Sequence, residues 1–318
     1  MTPESAAMQP GTKCQVIVPG STANIGPGFD SLGCAISIHN EFEFEVLAPG
    51  ASDEVVLEGS CQAGIPATAD NLALTTAKNF IRAQGIEPPP LRLRARIEVP
   101  NARGLGSSST AIVAGLVGAN SLLGNPLDEG AILDLAVSIE GHPDNVAPTL
   151  LGGLVVSAAF SVPLAWTRVP VHPDLRFVFV IPDYEVRTAQ ARSLLPATIP
   201  REDAIFNLSR TPLVVLALQS GDADLLAAVL DDRLHQPQRK PLFRRYDDFA
   251  AAAKAAGAAG FCVSGAGPTM LAICESSKVD TVRESLEEFL TSCDFGGRIA
   301  ELAPDNEGTV VHGTVPAR

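Results

Sequence analysis

The chain has 318 residues, 46% hydrophobic and 19% charged, which excludes a disordered polymer and allows a substantial core in one large domain or two of ordinary size. A formal net charge of -13 argues against nucleic acid and against an anionic membrane as partners, since the few cations would have to gather on one face. No basic segment followed by an apolar run opens the chain and no stretch is apolar for long enough to span a bilayer, so a cytoplasmic protein without membrane contact is expected.

Residues 1–12, small and proline-bearing, read as a flexible tail. Cys14 to Val18 reads as a short strand. Ile36 to Leu47 sets Phe42, Phe44 and Val46 against Glu41, Glu43 and Glu45, the period of a strand with one wet face. Asn71 to Gln84 suits a helix ended by Gly85, and Leu91 to Val99 alternates again, with Arg92, Arg94, Arg96 and Glu98 on the wet side. Residues 108–123 read as a buried helix closed by Gly124 and Pro126, Leu127 to Ile139 as a second helix, and 149–160 as a strand with Gly152-Gly153 at its start.

Beyond Pro163, Pro170 and Pro173, where a domain boundary is placed at 165/166, Phe177 to Ile181 reads as an apolar strand. Helices are expected near 203–219, 222–231 and 243–256, then strand, glycine loop and strand over 260–274, a helix over 278–290 and a last strand near 296–302. The six cysteines form no CxxC pair, which argues against zinc and for buried reduced thiols.

Four segments carry chemistry. Pro100-Asn101-Ala102-Arg103-Gly104-Leu105-Gly106-Ser107-Ser108-Ser109-Thr110 follows a strand and opens an apolar helix. Its glycines permit close backbone approach, and several N–H groups with the positive helix end behind them can hold an anion, while a hydroxyl can ligate Mg²⁺. It lacks the Gly-Lys-Ser/Thr ending of a Walker loop, and the plain alternative is a capped strand–helix turn. Glu140-Gly141-His142-Pro143-Asp144-Asn145 offers hard oxygen ligands and an imidazole, or is only a polar turn. Asn24-Ile25-Gly26-Pro27-Gly28-Phe29-Asp30 puts an amide and a carboxylate on a glycine-shaped loop. Ser264-Gly265-Ala266-Gly267-Pro268-Thr269 is either an anion cradle or a tight hairpin.

In this order, Asn24 to Asp30, Gly104 to Thr110 and Ser264 to Thr269 resemble the three signature motifs of the GHMP kinases. Pro19 to Gly33 and Glu140 to Pro148 are similar to the homoserine kinase family within that group, apart from Gly20-Ser21-Thr22, where those enzymes usually read Ala-Thr-Ser. The resemblance covers about 14–302. It implies an α/β (α+β) fold of two domains: a ribosomal-protein-like N-terminal ATP-binding domain over 13–165, and a ferredoxin-like C-terminal domain over 166–318. It further implies ATP and Mg²⁺ as cofactors, L-homoserine as substrate, and suggests a homodimer.

The same resemblance assigns residues. Pro100, Arg103, Gly104, Leu105, Gly106, Ser107, Ser108 and Ser109 would surround the phosphates, and Asn71 would line the adenine pocket. Ser108 and Glu140 would ligate Mg²⁺. Asn24, Asp30, His142, Asp144 and Gly265 would surround the substrate, with Arg192 and Arg239 on its carboxylate. Asp30, Asp144 and Asn145 would align the reacting groups, and a base role for Asp144 stays open. Another GHMP kinase, acting on mevalonate or a sugar, and a silent ATP and amino-acid sensor are the competing readings.

Overall fold

The computed structural model describes residues 8–315. A seven-stranded sheet is built from β1 (Lys13–Ala23), β2 (Leu32–Val46), β3 (Glu54–Glu58), β4 (Leu91–Arg96), β5 (Leu154–Ala158), β6 (Ala165–Val169) and β11 (Val310–Val315). Its main path runs β11-β1-β2-β4-β3, with β5 on β2 and β6 on β5; only β3 and β4 run parallel. The alternation seen in the sequence is realised. Phe42, Phe44, Val46, Leu91, Leu93 and Ala95 are buried on one face. On the other, Glu41, Glu43 and Glu45 stand in register with Arg96, Arg94 and Arg92. Opposite charges directly across a ladder favour this register, although each exposed pair is worth little by itself.

The buried face is covered by α1 (Leu72–Ala83), α2 (Ser107–Leu122), α3 (Glu129–Glu140) and α4 (Pro143–Leu151). α4 corrects the sequence reading: Pro143-Asp144-Asn145 is the first turn of a helix, and the strand expected from residue 149 begins only at Leu154. Proline at the first position is pre-set for a helix, and Asp144 in that turn suits the positive helix end.

A second, antiparallel sheet of order β10-β7-β9-β8 is formed by β7 (Leu175–Pro182), β8 (Gly260–Val263), β9 (Met270–Glu275) and β10 (Gly297–Glu301). Between β7 and β8 lie α5 (Thr188–Ser193), α6 (Arg201–Ser220), α7 (Ala223–Val229), the single turn α8 (Gln236–Arg239) and α9 (Tyr246–Ala255); α10 (Val279–Thr291) follows β9. One sheet face packs on α9 and α10 through Val178, Val180, Phe249, Ala253 and Leu286. The other joins Val214, Leu218 and Leu226 to Ile25, Leu32 and Leu154, so a continuous apolar cluster ties the two sheets together.

Two features depart from the expected division at 165/166. β6 pairs with β5 in the first sheet, and the last strand, β11, returns to the free side of β1 with Ile17 opposite Val310. The tail assigned to 1–12 lies outside the described residues up to residue 7. Beyond that the chain is held, because Gly11 N–H donates to Val46 O at 2.7 Å.

Candidate active site

The first and second sheets meet over a cleft of about 420 Å³. Its glycine-loop end is made between β4 and α2. Gly104 and Gly106 both take the left-handed conformation, at φ 74° and 73°. Steric room is the second reason for glycine here. A Cβ on Gly106 would sit 2.2 Å from Ser21 Oγ, and one on Gly104 would sit 2.3 Å from Ser264 O. The loop is thus pressed onto β1 and onto the β8–β9 turn, and it leads into the first turn of α2, whose N–H groups have no partner within the helix.

Gly106→Ala is therefore expected to lower nucleotide affinity at least tenfold and to reduce Tm by a few degrees. The left-handed penalty alone is about 1–2 kcal/mol. Calorimetry with ATP and a thermal melt check the two effects; unchanged affinity would return this segment to a plain turn.

Beside the loop, Ser108 Oγ donates to Glu140 Oε1 at 3.0 Å, and Ser109 Oγ reaches the same oxygen at 3.3 Å. Glu140 is the last residue of α3, ended by left-handed Gly141, which delivers its carboxylate to the start of α2. Hard oxygens converging at a helix N-terminus fit Mg²⁺ with phosphates.

Other residues assigned to the nucleotide have protein duties. Asn71 caps α1: its Oδ1 accepts from Ala73 N–H at 3.0 Å and its Nδ2 donates to Pro66 O at 2.9 Å. It still borders a smaller apolar hollow of about 180 Å³ with Ile65, Pro66, Leu72 and Ile97, which opens onto Ser107 and Ser108. Arg103 spends Nε on Pro182 O, Nη1 on Asn101 O and Nη2 on Asp183 O, clamping the loop to the end of β7. Leu105 is a core residue, so only its backbone faces a ligand, and Pro100 is half-buried at the entry to the loop.

At the other end of the cleft, Asp30 and Arg192 form a bidentate pair, Nη2 to Oδ1 at 2.6 Å and Nη1 to Oδ2 at 3.1 Å. His142 Nδ1 lies 2.5 Å from Asp144 Oδ1. Burial opposes a charged imidazole here, but the Asp144 hydrogen bond and charge outweigh it and raise the pKa of His142 above its usual 6.5. The stability this pair adds is complete below that ordinary value and is lost as pH rises through the raised one. Asn145 receives the Ser21 hydroxyl on Oδ1 at 3.0 Å, which leaves its amide nitrogen for the cleft that it lines.

Arg239 is buried. Its Nε donates to Ala191 O at 3.3 Å, and Nη1 meets His235 Nδ1 at 3.3 Å and Gly265 O at 3.5 Å. Burial first, and then the charge of Arg192, bring its pKa down to about 10, so it remains cationic at neutral pH.

Asn24, at φ 71°, is occupied at both ends, giving Nδ2 to Gly265 O at 2.9 Å and taking Asp30 N–H on Oδ1 at 3.0 Å. It shapes the loop that presents Asp30. The Ser264 to Thr269 segment is the tight hairpin of its two readings. Gly265 N–H donates to Ala23 O and Gly267 N–H to Ser264 O, so those donors are not free for an anion.

Sequence reasoning missed Phe29, His235 and Asp232. The Phe29 ring stacks on His235 with centroids 5.0 Å apart and lies 5.5 Å from the Arg192 guanidinium carbon and 5.1 Å from that of Arg239. The signal for His235 was present as its spacing of four from Arg239, one helical turn.

The GHMP kinases N terminal domain family matches residues 71–153, and the GHMP kinases C terminal family matches 214–292. The chain is 44% identical over 301 residues to the homoserine kinase of a Synechococcus strain, covering 94% of this chain and 96% of that one. It is 40% identical over 296 residues to the homoserine kinase of Moorella thermoacetica, covering 93% and 99%. Among solved structures, homoserine kinase from Cytophaga hutchinsonii superposes with a TM-score of 0.85 at 27% identity, over 94% of this chain and 97% of that one. The L. major mevalonate kinase complex, at 16% identity and a TM-score of 0.69 over 98% of both chains, shares the fold alone. The two-sheet architecture, the helix-initiating glycine loop and this likeness over nearly the whole length agree: the chain belongs to the homoserine kinase family of the GHMP kinases.

Proposed function

We propose that the protein transfers the terminal phosphate of ATP to the side-chain hydroxyl of L-homoserine, giving O-phospho-L-homoserine and ADP, a step of threonine biosynthesis. The observation that carries this reading is a single cleft with a phosphate-type helix N-terminus and Glu140 at one end, and an Asp30–Arg192 pair beside buried Arg239 at the other. A zwitterion with a distant hydroxyl needs both halves of that arrangement.

In this reading the backbone from Pro100 to Ser109 cradles the phosphates, and the apolar hollow bordered by Asn71 takes the adenine. Ser108 and Glu140 hold Mg²⁺, with Ser109 close enough to assist; the metal neutralises charge on the phosphate oxygens when bound. Arg239 and Arg192 read the carboxylate, and Asp30 receives the ammonium. For that, the Asp30–Arg192 pair has to divide between the two charges of the ligand. Gly265 and Asn24 shape the loop behind them.

The hydroxyl oxygen attacks the terminal phosphorus while the bond to the bridging oxygen of ADP breaks, and the hydroxyl proton leaves to solvent or a nearby oxygen. Alignment matters more than a strong base in such a transfer. Asp144 fits alignment, because its carboxylate is already engaged with His142. Asn145, with its oxygen fixed by Ser21, offers N–H groups to the transferring phosphate.

We place the enzyme in the cytoplasm, where ATP is held; its six thiols are free, and no helix among the described residues is long and apolar enough to cross a membrane. A homodimer is part of this proposal: Ile205, Leu208, Leu213 and Leu216 leave an apolar stripe exposed along α6 for a second copy to cover, and sedimentation tests it.

A coupled assay of ADP release with L-homoserine, ATP and Mg²⁺ tests the central reading, with mevalonate and galactose as controls. Turnover confined to homoserine is expected. Preference for mevalonate would favour the other branch of the superfamily, and binding of ATP without turnover would favour a sensor.

A further inference from the structure

Behind the substrate end of the cleft lies a buried polar cluster to which phosphoryl transfer gives no duty. Its centre is His235, 0% exposed. The ring bridges two groups of fixed polarity. Nε2 lies 2.9 Å from Gly26 O, which can only accept, and Nδ1 lies 3.3 Å from Arg239 Nη1, which can only donate. One protonation state satisfies both: neutral imidazole with its proton on Nε2 and its lone pair on Nδ1. A second proton would set N–H against N–H, and burial lowers the pKa of His235 below its usual value in agreement with this.

The cluster has a scaffold of its own. Both oxygens of Asp232 are used: Oδ1 accepts from Leu234 N–H at 2.8 Å and Asn207 Nδ2 at 2.7 Å, and Oδ2 from His235 N–H at 3.1 Å and Gln236 N–H at 2.7 Å. Asn207 also donates to Pro27 O at 3.0 Å. The segment carrying Arg239 and the loop carrying Asp30 are thereby tied at Gly26 and at Pro27. With Nε and Nη1 of Arg239 engaged, Nη2 is the guanidinium nitrogen left without a protein partner among the described residues, on a side chain that lines the cleft.

We propose that His235 is a positioning residue that fixes the distance between the cationic and anionic halves of the amino-acid site. Through Nδ1 it aims Arg239 at the carboxylate, and through Nε2 it holds the Gly26 loop that presents Asp30 to the ammonium. The site thus reads the separation of charges in an α-amino acid as well as their signs. The inference rests on Arg239 reading the carboxylate, as proposed above.

Three variants test it: His235→Leu, which removes both contacts; His235→Asn, whose side-chain oxygen can stand where Nδ1 does; and His235→Gln, whose amide nitrogen can stand where Nε2 does. His235→Leu is expected to raise KM for homoserine about tenfold or more, the loss of one alignment-dependent charge-assisted bond, with KM for ATP within about twofold. His235→Asn should recover part of that loss. The penalty for replacing the homoserine carboxylate by a neutral amide should shrink in the leucine variant, since the arginine is already misaligned.

Arg239→Lys is the reference arm. If it leaves KM for homoserine unchanged, the carboxylate reading itself fails. If it raises KM while all three His235 variants match wild type, the reading stands and the positioning proposal is overturned. An equal rise in both KM values also overturns it, because that marks a purely structural histidine. Should the leucine variant not fold, the asparagine and glutamine variants carry the same comparison, with thermal melts and ATP binding as controls.

Discussion

Glu140→Gln is expected to lower turnover by about two to four orders of magnitude at saturating ATP and homoserine, the several kcal/mol that a metal clamp on phosphoryl charge supplies. The amide keeps the shape of the side chain and can still accept from Ser108, so fold and loop should be retained. What it loses is the negative charge that would make Glu140 a ligand for a hard cation. The measurement that separates this from a general defect is a Mg²⁺ titration: half-saturation should move to much higher Mg²⁺, while ATP affinity without metal changes little.

Ser108→Ala should have the milder effect of the two, because Ser109 Oγ lies 3.3 Å from the same Glu140 oxygen and can take over. Removing both hydroxyls should approach the Glu140→Gln value. Near-normal turnover of Glu140→Gln at limiting Mg²⁺ would falsify the metal assignment.

Arg239→Lys is expected to weaken homoserine binding by roughly 1.5–3 kcal/mol, about ten- to a hundredfold or slightly more in KM, with ATP affinity nearly unchanged. Lysine loses the planar fork, so it cannot bond Ala191 O, His235 Nδ1 and a ligand carboxylate at once. It is also the poorer cation here. Burial and Arg192 bring the arginine to about 10, and the same surroundings act on an ammonium that starts lower. Homoserine amide should be a poor substrate of the wild type and should lose little more in the variant. That non-additivity identifies the contact. Independent penalties would make Arg239 structural. Arg192→Lys should behave differently, because both its terminal nitrogens are held by Asp30 before substrate arrives. Its loss frees a carboxylate inside the cleft and should also change the response to the ammonium group.

The parts of the fold that were legible are those whose pattern is local. Phe42, Phe44 and Val46 against three glutamates can only be a strand with one wet face, and the start of α2 is written in its glycines and serines. β3, β6, α5, α8 and β11 were not read. They are short, from four to six residues, and β6 is almost wholly exposed, so no period develops in them. α4 was misread because Pro143-Asp144-Asn145 is equally good chemistry for a turn and for a helix start; what decides is packing, since Gly33 lets β2 run against the backbone of Asp144.

The candidate site was legible as a list of residues, most of which line one cleft, but not as a geometry. Sequence spacing cannot tell that Asn24 and Arg103 are consumed by backbone groups, or that Arg192 meets Asp30 across 162 positions. His235 escaped notice because a lone histidine in the polar run Asp232-Arg233-Leu234-His235-Gln236 carries no motif of its own and reads as an ordinary loop residue.

The pairing of β11 with β1 has a consequence for the emergence of the chain from the ribosome. β1 acquires its neighbour β2 within some twenty residues, yet its other edge waits for residues 310–315, the last strand among the described residues. Until then the nascent protein carries an open row of backbone donors and acceptors along an apolar-faced strand, a template for pairing with another chain. Truncation just before Val310 would spare every residue of the cleft and make that interim state permanent. Such a shortened protein is expected to aggregate with the residues of its candidate active site all present.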